Sequence, residues 1–241
     1  MAINVDTVYK TVLLILNQQQ RGYMTPDEFN KVATQVQLNI FEKYADDLNQ
    51  QYRNPQNDTE YANRVKNIEE NLQYFQKYIN NASAAGAITG TNPFTIDLTV
   101  VTDLYRLGSV IYKGEELTQY AQRNEITQLL LSPLTQPTTN FPIYLYEEGK
   151  LYIYPTSIIT ADDINISYLK TPADVIWGYG IGTLGQFEYN SGASTNFELN
   201  VSEQSNVITR ILAYAGIIIN DPTIIQAAMQ ETQLEEQNSK Q

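Results

Sequence analysis

The chain has 241 residues, 42% of them hydrophobic and 17% charged, with a formal net charge of −12. That length allows one domain with a real core or two smaller ones, and the acidic balance argues against a surface that wraps nucleic acid or adheres to anionic lipid, since both need clustered Lys and Arg. The absence of Cys and His excludes disulfides, thiolate zinc sites, His-based metal binding and nucleophilic chemistry that depends on Cys or a Ser–His pair.

In chain order, the N-terminal residues Met1–Asp6 lack the basic stretch of a signal peptide, and the apolar run Val12–Leu16 is too short to span a bilayer. Synthesis in the cytoplasm, with no membrane partner, is therefore expected. Asp6 is placed as the N-cap of a first helix, with Val8, Val12, Ile15 and Leu16 on one face and a stop near Arg21-Gly22-Tyr23. Thr25-Pro26-Asp27-Glu28 then spells a capping box with Pro in the first turn. The helix it opens carries Phe29, Val32, Ala33, Val36, Ile40 and Tyr44 at spacings of three and four, and is expected to pack on the first as a hairpin. A polar loop over 49–58 leads to a third helix over 60–80, striped by Tyr61, Val65, Ile68, Leu72, Phe75 and Ile79. Residues 83–93 read as a linker.

The middle of the chain reads as β-structure. Phe94–Leu98 alternates, and Tyr105–Tyr112 is a second strand. Gln122–Leu131 is a short helix ended by Ser132-Pro133. Ile143–Tyr146 and Leu151–Tyr154 form a hairpin around Glu147–Lys150. Alternation is expected to place Tyr144, Tyr146, Tyr152 and Tyr154 on one face and the aliphatics on the other. Asp163–Leu169 is a further strand, and 177–196, rich in Gly, Tyr, Asn and Ser, reads as an extended loop or a projecting hairpin. Ser202 is placed as the N-cap of a helix running to about Gly216, Asp221-Pro222 restarts a helix, and the tail from Glu231 is polar and expected to be disordered. The fold class is thus α+β: a helical bundle over 1–82, a linker over 83–93, a mostly antiparallel β domain over 94–200, and C-terminal helices with a polar tail over 201–241.

Few motifs carry chemistry. Gly180-Ile181-Gly182-Thr183-Leu184-Gly185 matches G-x-G-x-x-G by letter, but a dinucleotide site needs a strand before it and a helix after it. Here no helix pattern follows, so the glycines read as a bending loop. The acidic pairs Asp46/Asp47, Glu115/Glu116, Glu147/Glu148 and Asp162/Asp163 lack the spacing of a metal loop. No catalytic, cofactor or metal residue is assigned, and the chain is not expected to be an enzyme. The 18 Tyr residues point instead to half-buried sheet faces, interfaces, or both.

The order of parts resembles a known family. Thr25–Lys31 and Ala33–Phe41 lie in a helical unit. Leu151-Tyr152-Ile153-Tyr154-Pro155 and Ile166–Pro172, with its Tyr-x-Lys-x-Pro ending, lie in a β unit, and a C-terminal helix closes the chain. This is similar to the head-to-tail adaptor (connector) proteins of short-tailed bacteriophages, and most to the ring proteins of crAss-like phages. The resemblance implies a virion neck or tail protein assembled in the host cytoplasm. It would form a ring of copies, usually twelvefold, with DNA passing through the lumen unbound. It also implies contact with the portal protein, placed here at Ile224, Ile225 and Met229, and with further tail or ring proteins. Tyr144, Tyr146, Tyr152, Tyr154 and Trp177 are the candidate contacts between subunits or to the tail. The same aromatics motivate an alternative, a carbohydrate- or receptor-binding module of a virion. Deleting Thr223–Gln241 is expected to spare the fold and weaken docking.

Overall fold

The computed structural model of the chain describes residues 2–18, 23–53, 59–80, 87–160, 163–219, 230 and 233. Helical and strand periodicities alternate along it. The elements are β1 (Ala2–Ile3), α1 (Val5–Gln18), α2 (Pro26–Arg53), α3 (Thr59–Leu72), β2 (Gln76–Ile79), β3 (Ala87–Thr91), β4 (Phe94–Asp97) and β5 (Leu104–Tyr112). They continue as β6 (Glu116–Leu117), β7 (Gln119–Tyr120), α4 (Arg123–Leu131), β8 (Ile143–Glu147), β9 (Lys150–Tyr154) and β10 (Ile164–Lys170). The chain ends in β11 (Tyr179–Ile181), β12 (Phe187–Tyr189), β13 (Phe197–Asn200) and α5 (Gln204–Ile219). The fold is α+β, with helices at both ends. No helix among the described residues is long and apolar enough to cross a membrane.

Contacts divide the chain into two compact units, one made of Met1–Tyr74 with Pro172–Gln241, the other of Phe75–Thr171. This differs from the division at 83–93. Gln76–Ile79, expected as the end of the third helix, is a strand, because its backbone pairs antiparallel with Ile166–Leu169 of β10. Ala87–Thr91, expected as linker, is a strand paired with β4. Residues 172–200, expected in the β domain, belong with the helices.

In the helical unit, local chemistry sets the helix starts. Thr25 and Glu28 close the expected capping box, Thr25 N–H donating to Glu28 Oε2 at 2.9 Å and Glu28 N–H to Thr25 Oγ1 at 3.4 Å. The Thr25 backbone and hydroxyl bonds hold the Glu28 carboxyl below its usual range. The first helix is capped by Asn4, not Asp6: Asn4 Oδ1 accepts from the backbone of Asp6 at 2.9 Å and Thr7 at 3.1 Å. Asp6 is left free to bind elsewhere. The last helix likewise starts later than Ser202 suggests. A 3₁₀ turn over Val201–Glu203 intervenes, and Asn200 Oδ1 accepts from Ser202 N–H at 3.3 Å. Helix α5 packs against both α1 and α2. Helix α1 meets α2 through Tyr9, whose ring lies 4.8 Å from that of Phe29 and whose hydroxyl donates to Met24 O. Pairing of β1 with β13 ties the N-terminus to the late chain.

The other unit is a sandwich. A five-stranded sheet (order β3-β4-β9-β8-β7) and a four-stranded sheet (β2-β10-β5-β6) are antiparallel except where β7 runs parallel to β8. Phe94, Ile96, Leu151 and Ile153 from the first sheet and Val110, Ile164 and Ile166 from the second gather in one core. A smaller core lies on the outer face of the five-stranded sheet, where Ile126 of α4 packs with Ala121, Ile143 and Leu145. That helix ends at Ser132 as expected, and at its start Gln122 N–H donates to Glu125 Oε2 at 2.9 Å.

Candidate functional site

The expected tyrosine face does not form. The tight turn Glu148-Gly149, with φ of 52° and 72°, pairs Glu147 with Lys150, Tyr146 with Leu151, Leu145 with Tyr152 and Tyr144 with Ile153. Residues directly opposite share a face, and the register sums to an odd number. Each tyrosine therefore shares its face with the aliphatics of the other strand. Tyr144 and Tyr146 join the sandwich core, while Tyr152 and Tyr154 pack on the core under α4. Trp177 is likewise no exposed platform, at 4% exposure. The aromatic surface on which a sugar-stacking reading stood is thus absent. Ile224, Ile225 and Met229 lie outside the described residues, as do the Gly22 stop, the Asp221-Pro222 start and the polar tail apart from Gln233.

What the structure assembles is an arm made of β11 and β12. Its approach is held by a ladder of polar side chains on α2. Asn30, Thr34 and Gln37 stand at helical spacings of four and three, on one face. Each binds the backbone of the extended segment 173–177, which runs antiparallel to the helix. Trp177 N–H donates to Asn30 Oδ1 at 2.7 Å, Val175 N–H to Thr34 Oγ1 at 3.0 Å, and Gln37 Nε2 to Ala173 O at 2.8 Å. Gln37 is fully buried, and its Oε1 accepts from Glu198 N–H at 2.8 Å. On its other side Ile176 pairs antiparallel with Thr195, so the backbone polar groups of the segment are satisfied by the helix side chains and by this bridge together. Gly178 continues this close fit. A Cβ there would stand 2.6 Å from the backbone carbonyl of Ala193, so the two limbs of the arm approach at its base only because residue 178 has none.

Trp177 locks the base. Its indole N–H donates to Asp6 Oδ1 at 3.1 Å, and its ring lies 4.4 Å from Tyr9, 6.0 Å from Tyr179 and 5.7 Å from Tyr189. Burial pushes the Tyr9 hydroxyl well above its ordinary range. In the arm Tyr179 pairs with Tyr189, Gly180 with Glu188 and Ile181 with Phe187. One face therefore carries Tyr179, Ile181, Phe187 and Tyr189, and the other Gly180 and Glu188. The Tyr179 hydroxyl donates to Asp27 Oδ1 at 3.3 Å, and the Asp27 charge raises its pKa. Beyond the tyrosines the apolar face is uncovered: Ile181 is 75% exposed, and Leu184, in the turn, 91%. Gly182 N–H to Gln186 O at 2.8 Å and Gly185 N–H to Gly182 O at 2.9 Å fix the turn itself. The G-x-G-x-x-G letters are this hairpin turn, with a strand on each side and no helix after it.

A second uncovered apolar surface lies in the sandwich unit, at the end of α4 and in the loop after it. Leu131, Leu134 and Phe141 are all strongly exposed, Leu134 at 96%. Leu117, also exposed, stands two residues before Gln119 as Phe141 stands two before Ile143, at the same end of the paired strands β7 and β8. No Lys, Arg, Asp or Glu occurs from Ile126 to Tyr146. The same is true of the arm from Val175 to Phe187.

Sequence reasoning located the arm as a loop or hairpin but named none of its tip residues as a site. Large apolar side chains between glycines, inside a charge-free run, were the available signal. Among the described residues no three His, Cys, Asp or Glu side chains gather in a way that could hold a metal ion. The perturbed carboxylates are structural: Lys77 holds Asp103 below its usual range through a 2.5 Å bond, and Arg123 does the same to Glu147. What these surfaces offer is uncovered apolar contact area, suited to protein association. No protein-family model matches the chain, and no curated protein matches it in sequence.

Proposed function

We propose that the chain is a structural virion subunit. Copies of it form an oligomeric ring that joins the portal vertex to the tail and lets DNA pass through its lumen. The observation that carries this reading is the arm. A hairpin locked at its base by Trp177 and by Asn30, Thr34 and Gln37 ends in the uncovered side chains Ile181 and Leu184. Such an element has the makings of a protein contact, since rigid apolar groups lose little freedom when they are covered. The resemblance to head-to-tail adaptors supplies the kind of assembly. The charge of −12 supports a lumen that repels the phosphate backbone. In this reading the chain has no catalytic chemistry, cofactor or membrane partner. Portal contact is assigned to the segment around Ile224, Ile225 and Met229.

Electron microscopy of the protein, alone and mixed with its candidate portal protein, tests the proposal. A closed ring stacked coaxially on the portal is expected. A protein that stays monomeric and ignores the portal would overturn it.

A further inference from the structure

We infer, whatever the chain assembles with, that the sandwich unit is an inserted module that opens and closes independently of the helical unit, and that Asp103 is the clasp holding its neck shut. The helical unit is built from two separate stretches, Met1–Tyr74 and Pro172–Gln241, so the whole sandwich unit, Phe75–Thr171, lies between them in sequence. Its first and last strands, β2 and β10, are neighbours in one sheet: Leu169 stands opposite Gln76, and Lys170 N–H donates to Phe75 O at 2.8 Å. The chain thus enters and leaves the unit at hydrogen-bonded neighbours, the geometry that lets one domain sit within the sequence of another. A stretch of about 100 residues is an ordinary size for a domain. The two cores of the sandwich unit draw only on residues between Phe94 and Ile166. Every strand of its two sheets pairs within it, just as β1 pairs with β13 and β11 with β12 in the helical unit.

The change of unit is abrupt on the way out. Thr171 N–H donates to Asp103 O at 2.7 Å, inside the sandwich unit. Pro172 has no N–H to give. Ala173 N–H then donates to Glu198 Oε2 at 3.1 Å, inside the helical unit. Asp103, in the turn before β5, ties both limbs of the neck. On the incoming limb its Oδ2 accepts from Lys77 Nζ at 2.5 Å. On the outgoing limb its Oδ1 accepts from the Tyr168 hydroxyl at 3.2 Å, and its backbone O accepts from Thr171. Phe75 and Tyr168 are buried, so the neck is packed as well as bonded. Asp97, in another turn of the same unit, instead binds Thr99, two residues on.

Hydrogen–deuterium exchange of the full chain, read by mass spectrometry, tests both parts. Ile153→Ala empties a fully buried site in the sandwich core, and Val36→Ala one in α2. Ile153→Ala is expected to speed the slowest amides of β4, β5, β9 and β10 by about tenfold or more, and to leave α1, α2 and α5 at wild-type rates. Val36→Ala is expected to do the reverse. Trp177 lies in the helical unit, so its fluorescence should keep the wild-type urea midpoint in Ile153→Ala and lose it in Val36→Ala. A sandwich unit that Ile153→Ala unfolds completely, beside helices that stay protected, supports the module equally. Exchange that rises together in both units would show one cooperative body and overturn it. For the clasp, Asp103→Ala is expected to speed exchange several-fold at Lys77–Ile79 and at Lys170–Thr171, above any change elsewhere in the unit, and Asp97→Ala to leave both limbs alone. Gln76 and Leu169 face each other as a non-hydrogen-bonded pair, close enough for a disulfide, and the chain has no Cys of its own. Gln76→Cys with Leu169→Cys, oxidised in the Asp103→Ala chain, should therefore return both limbs to wild-type protection, and reduction should release them again. Limbs unchanged in Asp103→Ala, or acceleration spread evenly over the sandwich unit, would remove Asp103 as the clasp and leave the module standing.

Discussion

The two hairpins of this chain have much in common locally and opposite fates. Both β8–β9 and β11–β12 mix aromatic with aliphatic side chains, and both turn through a glycine at positive φ, Gly149 at 72° and Gly185 at 82°. The first lies inside a five-stranded sheet, with the sandwich core on one face and the α4 core on the other. The second is a two-stranded sheet by itself. The base of its apolar face lies on Trp177, and its tip is covered by nothing in the chain's described residues. Strand alternation decides which side chains share a face, but only the neighbouring elements decide whether that face becomes core or surface.

The largest effect should separate the two hairpins outright. Leu151 is fully buried in β9, so Leu151→Ala is expected to cost about 2–5 kcal/mol, through lost burial and the cavity left behind. Ile181→Ala in the arm should stay within about 0.5 kcal/mol, because the side chain is already in water. Urea denaturation followed by circular dichroism checks both. Equal costs would mean that the arm tip is core.

A second variant attacks what holds the arm. Gln37→Leu removes both partners of its two buried bonds, leaving Ala173 O and Glu198 N–H without them. It should destabilise the helical unit by about 1–3 kcal/mol. Trp177 is the chain's only tryptophan and sits at the arm's base, so its fluorescence during unfolding reports this loss directly. An unchanged transition would show that the ladder is dispensable.

That ladder also shows where sequence reading succeeds and where it stops. The Thr25–Glu28 box was legible because all its partners lie within four residues. The end of the third helix was not: Leu72, Phe75 and Ile79 keep helical spacing, and only pairing with Ile166–Leu169, about ninety residues away, makes Gln76–Ile79 a strand. The alternation of Tyr144–Tyr154 is legible within each strand, but the two-residue turn Glu148-Gly149 sets a register that mixes the faces. Asn30, Thr34 and Gln37 look like a solvated helix face until the extended segment that needs them is known. Ile181 and Leu184 were readable as apolar, but their exposure depends on the absence of a covering element, which no local pattern encodes.

The two turns sharpen the comparison at smaller energies. At Gly149 a Cβ would meet Thr99 Cγ2 at 2.6 Å, in addition to the strain of positive φ. At Gly185 the φ is similar, yet nothing lies within 4 Å of that Cβ. Gly185→Ala should therefore cost about 1 kcal/mol from backbone conformation alone, and Gly149→Ala clearly more. Thermal midpoints of the two variants check the order, and a reversal would place the tighter turn in the arm.

The smallest effect is a difference in sign. Arg123 holds the Glu147 carboxyl below its ordinary value of 4.5, by hydrogen bonding and by charge. A carboxyl whose folded pKa lies below the unfolded one contributes stability that is complete above the unfolded value and is lost as pH falls through the folded value. The β8–β9 hairpin is thus weakened by acid. In the arm, the Asp27 charge and then burial hold the Tyr179 hydroxyl above its ordinary value of 10.0. A raised pKa contributes stability that is complete below the unfolded value and is lost as pH rises through the folded one, so the arm is weakened by alkali. Both groups stand half in water, which screens them, and each effect should be a modest drift in the unfolding midpoint. Glu147→Gln should flatten the acid limb below about pH 4.5 and leave the alkaline limb unchanged, while Asp27→Asn should do the reverse above about pH 10. Denaturation midpoints measured across both limbs would separate the hairpins by charge alone. If both variants moved the same limb, Glu147 and Tyr179 would not be the groups that titrate there.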